Sequence, residues 1–101
     1  MKAIQMQSNL LALIKEVKQR LDQQVVIQIL SYIGYEFDRT GKFKLRPDEN
    51  TASAAVSKDG NIKDFGTGWY GDIISVLKEY HGLSTIDAVK YVSDCVGVKY
   101  E

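Results

Sequence analysis

The sequence has almost none of the residues that usually staple a small domain: one cysteine, Cys95, and one histidine, His81. A single thiol forms no internal disulfide, and one Cys with one His does not make a zinc site of the usual N/S type. Nothing in this cysteine usage points to an oxidising compartment. Proline occurs once, at Pro47, and tryptophan once, at Trp69. Net charge is also missing, since thirteen Lys and Arg residues balance thirteen Asp and Glu. No global field therefore draws the chain to nucleic acid or to an anionic membrane. The balance holds locally too. Over residues 38–72, Arg39, Lys42, Lys44, Arg46, Lys58 and Lys63 stand against Asp38, Asp48, Glu49, Asp59, Asp64 and Asp72. No apolar run nears the ~20 residues of a membrane span, and the N-terminus lacks a signal-peptide core. The expectation is a cytoplasmic protein with no membrane partner.

What is present suits one globular domain. A chain of 101 residues that is 45% hydrophobic buries a core without staples. Leu10, Ile14, Val17 and Leu21 fall on one helical face, which predicts an amphipathic helix over residues 3–21, with Ile4 and Met6 ahead of them. That face suits either the protein's own core or a partner helix. Asp22 is placed to cap a second helix, whose stripe is Val25, Val26, Ile29, Leu30 and Ile33. The β-branched run keeps a strand open for residues 25–29. Gly34 ends the element.

Short alternating stretches follow. Residues 35–37 and 43–45 read as two strands joined by a loop over residues 38–42, with Gly41 near its end. Pro47 marks a polar turn, residues 54–57 a strand, and Asp59-Gly60 a two-residue hairpin returning as residues 62–65. Asp72 caps a third helix with Ile73, Ile74, Val76, Leu77 and Tyr80 on its buried stripe, and Gly82 closes it. Ser84 and Asp87 stand in capping-box register before a last helix that carries Ile86, Ala88, Val89, Val92 and Val96 and is closed by Gly97. Cys95 lies on that helix's pattern as a small core residue, and His81 sits at a helix end that suits it.

The order of turn, hairpin and knuckle resembles the zinc-binding domain at the N-terminus of bacterial and phage DNA primases. That family has a Cys-Pro-x-His turn, then Glu-Lys-Thr-Pro-Ser-Phe, then a hairpin into Cys-Phe-Gly-Cys-Gly-x-x-Gly-Asp and a helix. Here Pro47 matches the turn proline, and Glu49-Asn50-Thr51-Ala52-Ser53 the segment after it. Phe65, Gly66, Gly68, Gly71, Asp72 and Ile73 keep the register of the second motif. The Gly82-Leu83-Ser84 turn and the helix with Asp87, Ala88 and Val89 are similar to the family's closing elements. The likeness covers residues 22–98 or so. All four ligands are replaced: Arg46 stands at the first cysteine position, Asp64 and Thr67 at the later two, and the histidine has no counterpart in the shorter turn.

The resemblance implies an α+β fold in which a small antiparallel sheet of three or four strands, zinc-ribbon-like but metal-free, is flanked by two N-terminal and two C-terminal helices. Residues 1–21 form the amphipathic helix and residues 22–101 the primase-like part of one compact domain. Structural zinc normally supplies much of the folding energy of such a sheet, so packing must replace it. Phe65 and Trp69, with Ile62, Val56 and Phe43, are the candidates.

The resemblance also implies a non-catalytic module of replication or of a mobile element that contacts single-stranded DNA, with no cofactor. The residues suited to that task are Lys42, Lys44, Arg46, Lys58 and Lys63 for phosphates, and Thr51, Ser53 and Thr67 as hydrogen-bonding groups. Trp69 and Tyr70, with Tyr35 and Phe43, offer rings for stacking. Trp69 is also read as replacement core. The rival reading is a protein-interaction module, such as a phage or plasmid factor mimicking the primase domain, with the first helix binding a protein partner or a second copy. Gly66-Thr67-Gly68-x-x-Gly71 matches a dinucleotide fingerprint, but the parallel βαβ context that gives it meaning is missing. The amides ahead of the third helix suit one phosphate unless Asp72 occupies them.

Overall fold

A computed structural model of the protein describes residues 2–46, 48 and 50–98, with side chains from Leu10 onward. Pro47, Glu49 and the side chains of Ile4 and Met6 lie outside the described residues. The chain runs α1 (Lys2–Gln19), α2 (Gln23–Tyr32), β1 (Lys42–Phe43), β2 (Ala54–Val56), β3 (Ile62–Asp64), β4 (Tyr70–Gly71), α3 (Ile73–His81) and α4 (Thr85–Val96). This is an α+β architecture: a four-stranded antiparallel sheet in sequential order, β1-β2-β3-β4, flanked by two helix pairs.

The helices start where the sequence offers caps. Asp22 Oδ1 accepts from Val25 N at 2.9 Å, Asp72 Oδ1 from Ser75 N at 2.8 Å, and Ser84 Oγ from Asp87 N at 3.1 Å. Gly82 and Gly97 end α3 and α4 in the left-handed conformation. The strand alternative for residues 25–29 loses to a helix whose buried side, Val26, Ile29 and Leu30, follows the i, i+3, i+4 spacing. In α1, Leu13 and Val17 are buried and Leu10 and Ile14 are half-buried. The described part of its stripe thus packs on the protein's own core, chiefly against α4. In α4 the inward residues are Ala88, Val89, Val92 and Ser93. Cys95 falls outside that stripe and is exposed, not a core residue, because one helical turn beyond Val92 the inward position goes to the half-buried Val96.

Two strand expectations need correction. Residues 35–37 form no strand and pair with nothing in a ladder. Tyr35 N is drawn back to Leu30 O (3.0 Å) at the end of α2, and the Tyr35 and Phe37 rings pack on Phe43 at 5.4 and 4.9 Å. The loop after them does close on itself, with Asp38 N donating to Lys42 O at 2.9 Å. β1 finds its partner in β2 instead, Lys42 opposite Ala55 and Phe43 opposite Ala54. The hairpin between β2 and β3 has a three-residue loop. Gly60 N donates to Ser57 O, Ser57 N to Asn61 O, and Gly60 takes φ +86°. A type I turn followed by a left-handed glycine is the usual geometry for that loop length.

Alternation along the strands divides the sheet cleanly. Phe43, Ala54, Val56, Ile62 and Asp64 point inward and are buried. Lys42, Ala55, Lys63 and Tyr70 point outward and stand in one cross-strand row, each opposite the next.

The Asp72 cap also holds Lys18 of α1, Nζ to Oδ2 at 3.5 Å. Asp72→Ala is therefore expected to lower stability by about 0.5–2 kcal/mol in urea denaturation. Lys18→Ala, which removes only a half-exposed ion pair, should cost roughly 0–1 kcal/mol.

Candidate nucleic-acid interface

The residues singled out by sequence fall into three places. Lys42, Lys63 and Tyr70 share the outward row, and Lys44, exposed between the buried Phe43 and Leu45, follows just past the end of β1. Arg46, Thr51, Ser53 and Thr67 gather at one end of the sheet around a shallow hollow of about 440 Å³, together with Asp48 and Asn50. Lys58 lies in the β2–β3 turn at the opposite end, exposed and apart from both groups.

The rings are redistributed relative to expectation. Phe43 is fully buried and has no face for stacking. Trp69 is half-buried: its ring meets Tyr80 edge-on at 5.6 Å, and its Nε1 donates to Glu79 Oε2 at 2.5 Å. Trp69 thus packs the β4–α3 corner. Phe65, expected in the core, is 63% exposed, with Lys63 Nζ 5.3 Å from its centroid. Tyr70 is 65% exposed. The signal for Phe65 was present in the sequence: strand residues two apart share a face, so Phe65 follows Lys63 outward while Asp64 turns in.

Asp64 is the sheet's buried charge, 1% exposed. Its Oδ1 accepts from Ser53 Oγ at 2.5 Å and from Gly66 N at 2.9 Å. Its Oδ2 is sealed from solvent with no partner in hydrogen-bond geometry. The backbone around it closes the knuckle, with Asp64 N donating to Trp69 O (2.8 Å), Gly68 N to Asp64 O (2.7 Å) and Phe65 N to Ser53 O (2.9 Å). Burial pushes the Asp64 carboxyl up, but the hydrogen bonds from Ser53 and Gly66, joined by the donors of Thr67, outweigh it and hold the pKa below the ordinary value. The Ser53 hydroxyl is spent on Asp64, and Thr67 Oγ1 accepts from Trp69 N at 3.2 Å. Both serve the fold before any ligand. Of the positions where the resemblance would put metal ligands, Asp64 and Thr67 take part in a hydrogen-bonded corner, and Arg46 is exposed at the edge of the hollow. Among the described residues no group of three or more His, Cys, Asp or Glu is placed to hold a metal ion.

Two of the three glycines of the dinucleotide-like motif have packing reasons, and the third, Gly68, takes φ +80°. A Cβ on Gly71 would come within 2.8 Å of the Trp69 ring, and one on Gly66 within 2.9 Å of Ser53 Oγ. The first turn of α3 is occupied by Asp72, so the phosphate position there is taken.

The chain matches no protein-family model and no curated protein. The likeness to primase zinc-binding domains rests on the motif residues alone. No described helix is long and apolar enough to cross a membrane.

Because the Asp64 pKa is depressed in the folded state, its stabilising contribution is complete above the ordinary carboxylate range and is lost as pH falls through the folded value. Stability measured by urea denaturation should drop as pH is lowered below about 4. Asp64→Asn should flatten that acid dependence. Asp64→Ala, which strands the donors of Ser53 and Gly66, should cost about 1.5–3 kcal/mol at neutral pH.

Proposed function

We propose that this protein is a non-catalytic module that binds single-stranded DNA across the open face of its sheet. On this reading it has the form of a primase zinc-binding domain whose metal corner is replaced by hydrogen bonds, and it serves replication or a mobile element. The observation that carries the reading is the sign of the outward face. Among the described strand residues, those turned to solvent are Lys42, Ala55, Lys63 and Tyr70, while the one strand carboxylate, Asp64, is turned inward. A chain with no net charge thus concentrates ammonium groups on one surface. Tyr70 and Phe65 stand beside Lys63 as exposed rings, and Ala55 keeps the middle of the row low. Ammonium groups that follow a backbone, with rings on which bases stack, are what sequence-tolerant single-strand binding requires. The row spans three interstrand spacings of about 4.8 Å, or about 14 Å. That is room for about four phosphates at the ~3.4 Å spacing of a stacked strand.

Fluorescence anisotropy of labelled single-stranded DNA at several salt concentrations tests this. Three lysines engaging phosphates should give a slope of log K against log salt of about −2, with Kd of about 1–100 μM at physiological salt. Lys63→Ala should reduce the slope by about 0.7. Tyr70→Ala should weaken binding by about 1–3 kcal/mol and leave the slope unchanged, and Lys15→Ala on α1 should alter neither. No binding at low salt, or binding indifferent to salt, would overturn the reading.

A second reading, a protein-interaction module, has its own observation: Leu11 on α1 is 67% exposed beside the half-buried Leu10 and Ile14. Loss of DNA binding combined with a mass that rises with concentration in sedimentation would favour it.

A further inference from the structure

Beside the outer edge of β1 lies a cleft of about 600 Å³ that none of the assignments above uses. Its size is that of a site for a small organic group. The segment after α2 forms one wall and the end of α3 another, bringing Tyr35, Phe37, Tyr80 and His81 to its lining. The walls are fixed in place. Tyr35 and Phe37 both lean on the buried Phe43, and Tyr35 stands edge-on to His81 at 5.7 Å. Tyr35 Oη and His81 Nε2 also share a 2.9 Å hydrogen bond whose direction follows the imidazole tautomer.

Two features say what fits. First, Lys42 and Lys44 line the cleft, and Lys42 also belongs to the outward basic row. A strand lying on that row passes the cleft's mouth. Second, Glu36 and Asp38 line it as well. Carboxylates set among rings favour the neutral, aromatic part of a nucleotide inside the cleft over its phosphate. The carboxylates are acceptors only. They pair with the exocyclic amino groups of cytosine, adenine and guanine, whereas the single N3–H donor of thymine and uracil stands between two carbonyl oxygens that repel a carboxylate. Asp38 Oδ1 already accepts from Thr40 N, Thr40 Oγ1 and Lys42 N, which leaves Glu36 as the principal acceptor.

We infer that this cleft seats one unstacked base of the strand bound on the sheet, and that it selects a base carrying an amino group. The inference rests on the single-strand reading given above and adds to it a site of base selection separate from the phosphate-tracking row. Recognition of a splayed-out base between rings, with its polar edge hydrogen-bonded, is the usual way a protein reads a single strand.

The test compares anisotropy titrations of short deoxycytidine and thymidine homopolymers with the full chain. The deoxycytidine strand is expected to bind about five- to tenfold more tightly, with the same salt slope for both. Glu36→Ala, at an exposed position, should abolish the difference without changing the slope. Phe37→Ala, checked for folding by thermal melting, should do the same. Equal binding of the two homopolymers with a normal salt slope overturns the cleft assignment and leaves the sheet reading standing. A preference that survives Glu36→Ala also overturns it. Failure of both homopolymers to bind at low salt removes both proposals together.

Discussion

Asp64 carries its carboxylate into the interior while its neighbours Lys63 and Phe65 face solvent, and much of the structure follows from that inward turn. One oxygen gathers the Ser53 hydroxyl and the Gly66 amide, which ties the segment leading into β2 to the knuckle between β3 and β4. Three backbone hydrogen bonds among Ser53, Asp64, Phe65, Gly68 and Trp69 complete the corner. A buried carboxylate is costly unless its lone pairs are satisfied. The loop is shaped to satisfy one of its two oxygens, Oδ1, and the tight approach of Gly66 to Ser53 leaves no space for a side chain. One strand residue thus gathers a donor eleven residues before it and one two residues after it.

The same inward turn sets the surface. With strand period two, placing Asp64 inside forces Lys63 and Phe65 outside, and the antiparallel register then aligns Lys63 with Tyr70 on one side and Ala55 on the other. The buried charge and the basic face are thus one choice of register seen from two sides. A slip of one residue would expose Ile62 and bury Lys63, so the apolar contacts of Ile62, Phe43 and Val56 defend the face as well as the core.

Much of this was legible in the sequence. The three helix caps at Asp22, Asp72 and Ser84, the closing glycines Gly82 and Gly97, and the β2–β3 return are local signals, and local chemistry decides them. Residues 35–37 were not legible as a non-strand, because their alternation serves ring packing on Phe43. The exchange of roles between Trp69 and Phe65 was half legible. Phe65 follows from alternation, but Trp69 turns in only because Glu79 and Tyr80, ten and eleven residues on, meet it across the β4–α3 corner. Cys95 shows the same limit, since helical periodicity over a few residues does not decide which of two adjacent positions a neighbouring helix covers. The cleft beside β1 had no sequence signal, because its walls come from segments more than forty residues apart, as Tyr35 and His81 show.

The outermost strands, β1 and β4, are each two residues long. An open sheet has two rims of unpaired amides and carbonyls, and these are where chains recruit one another into fibres. On one rim, Asp38 N already takes the Lys42 carbonyl and Asp38 Oδ1 takes the Lys42 amide. On the other, β4 runs directly into the Asp72 cap of α3. Among the described residues neither rim offers a foreign strand a long run of free backbone, so the protein can keep a ring-bearing face open to solvent beside edges too short to template its own aggregation.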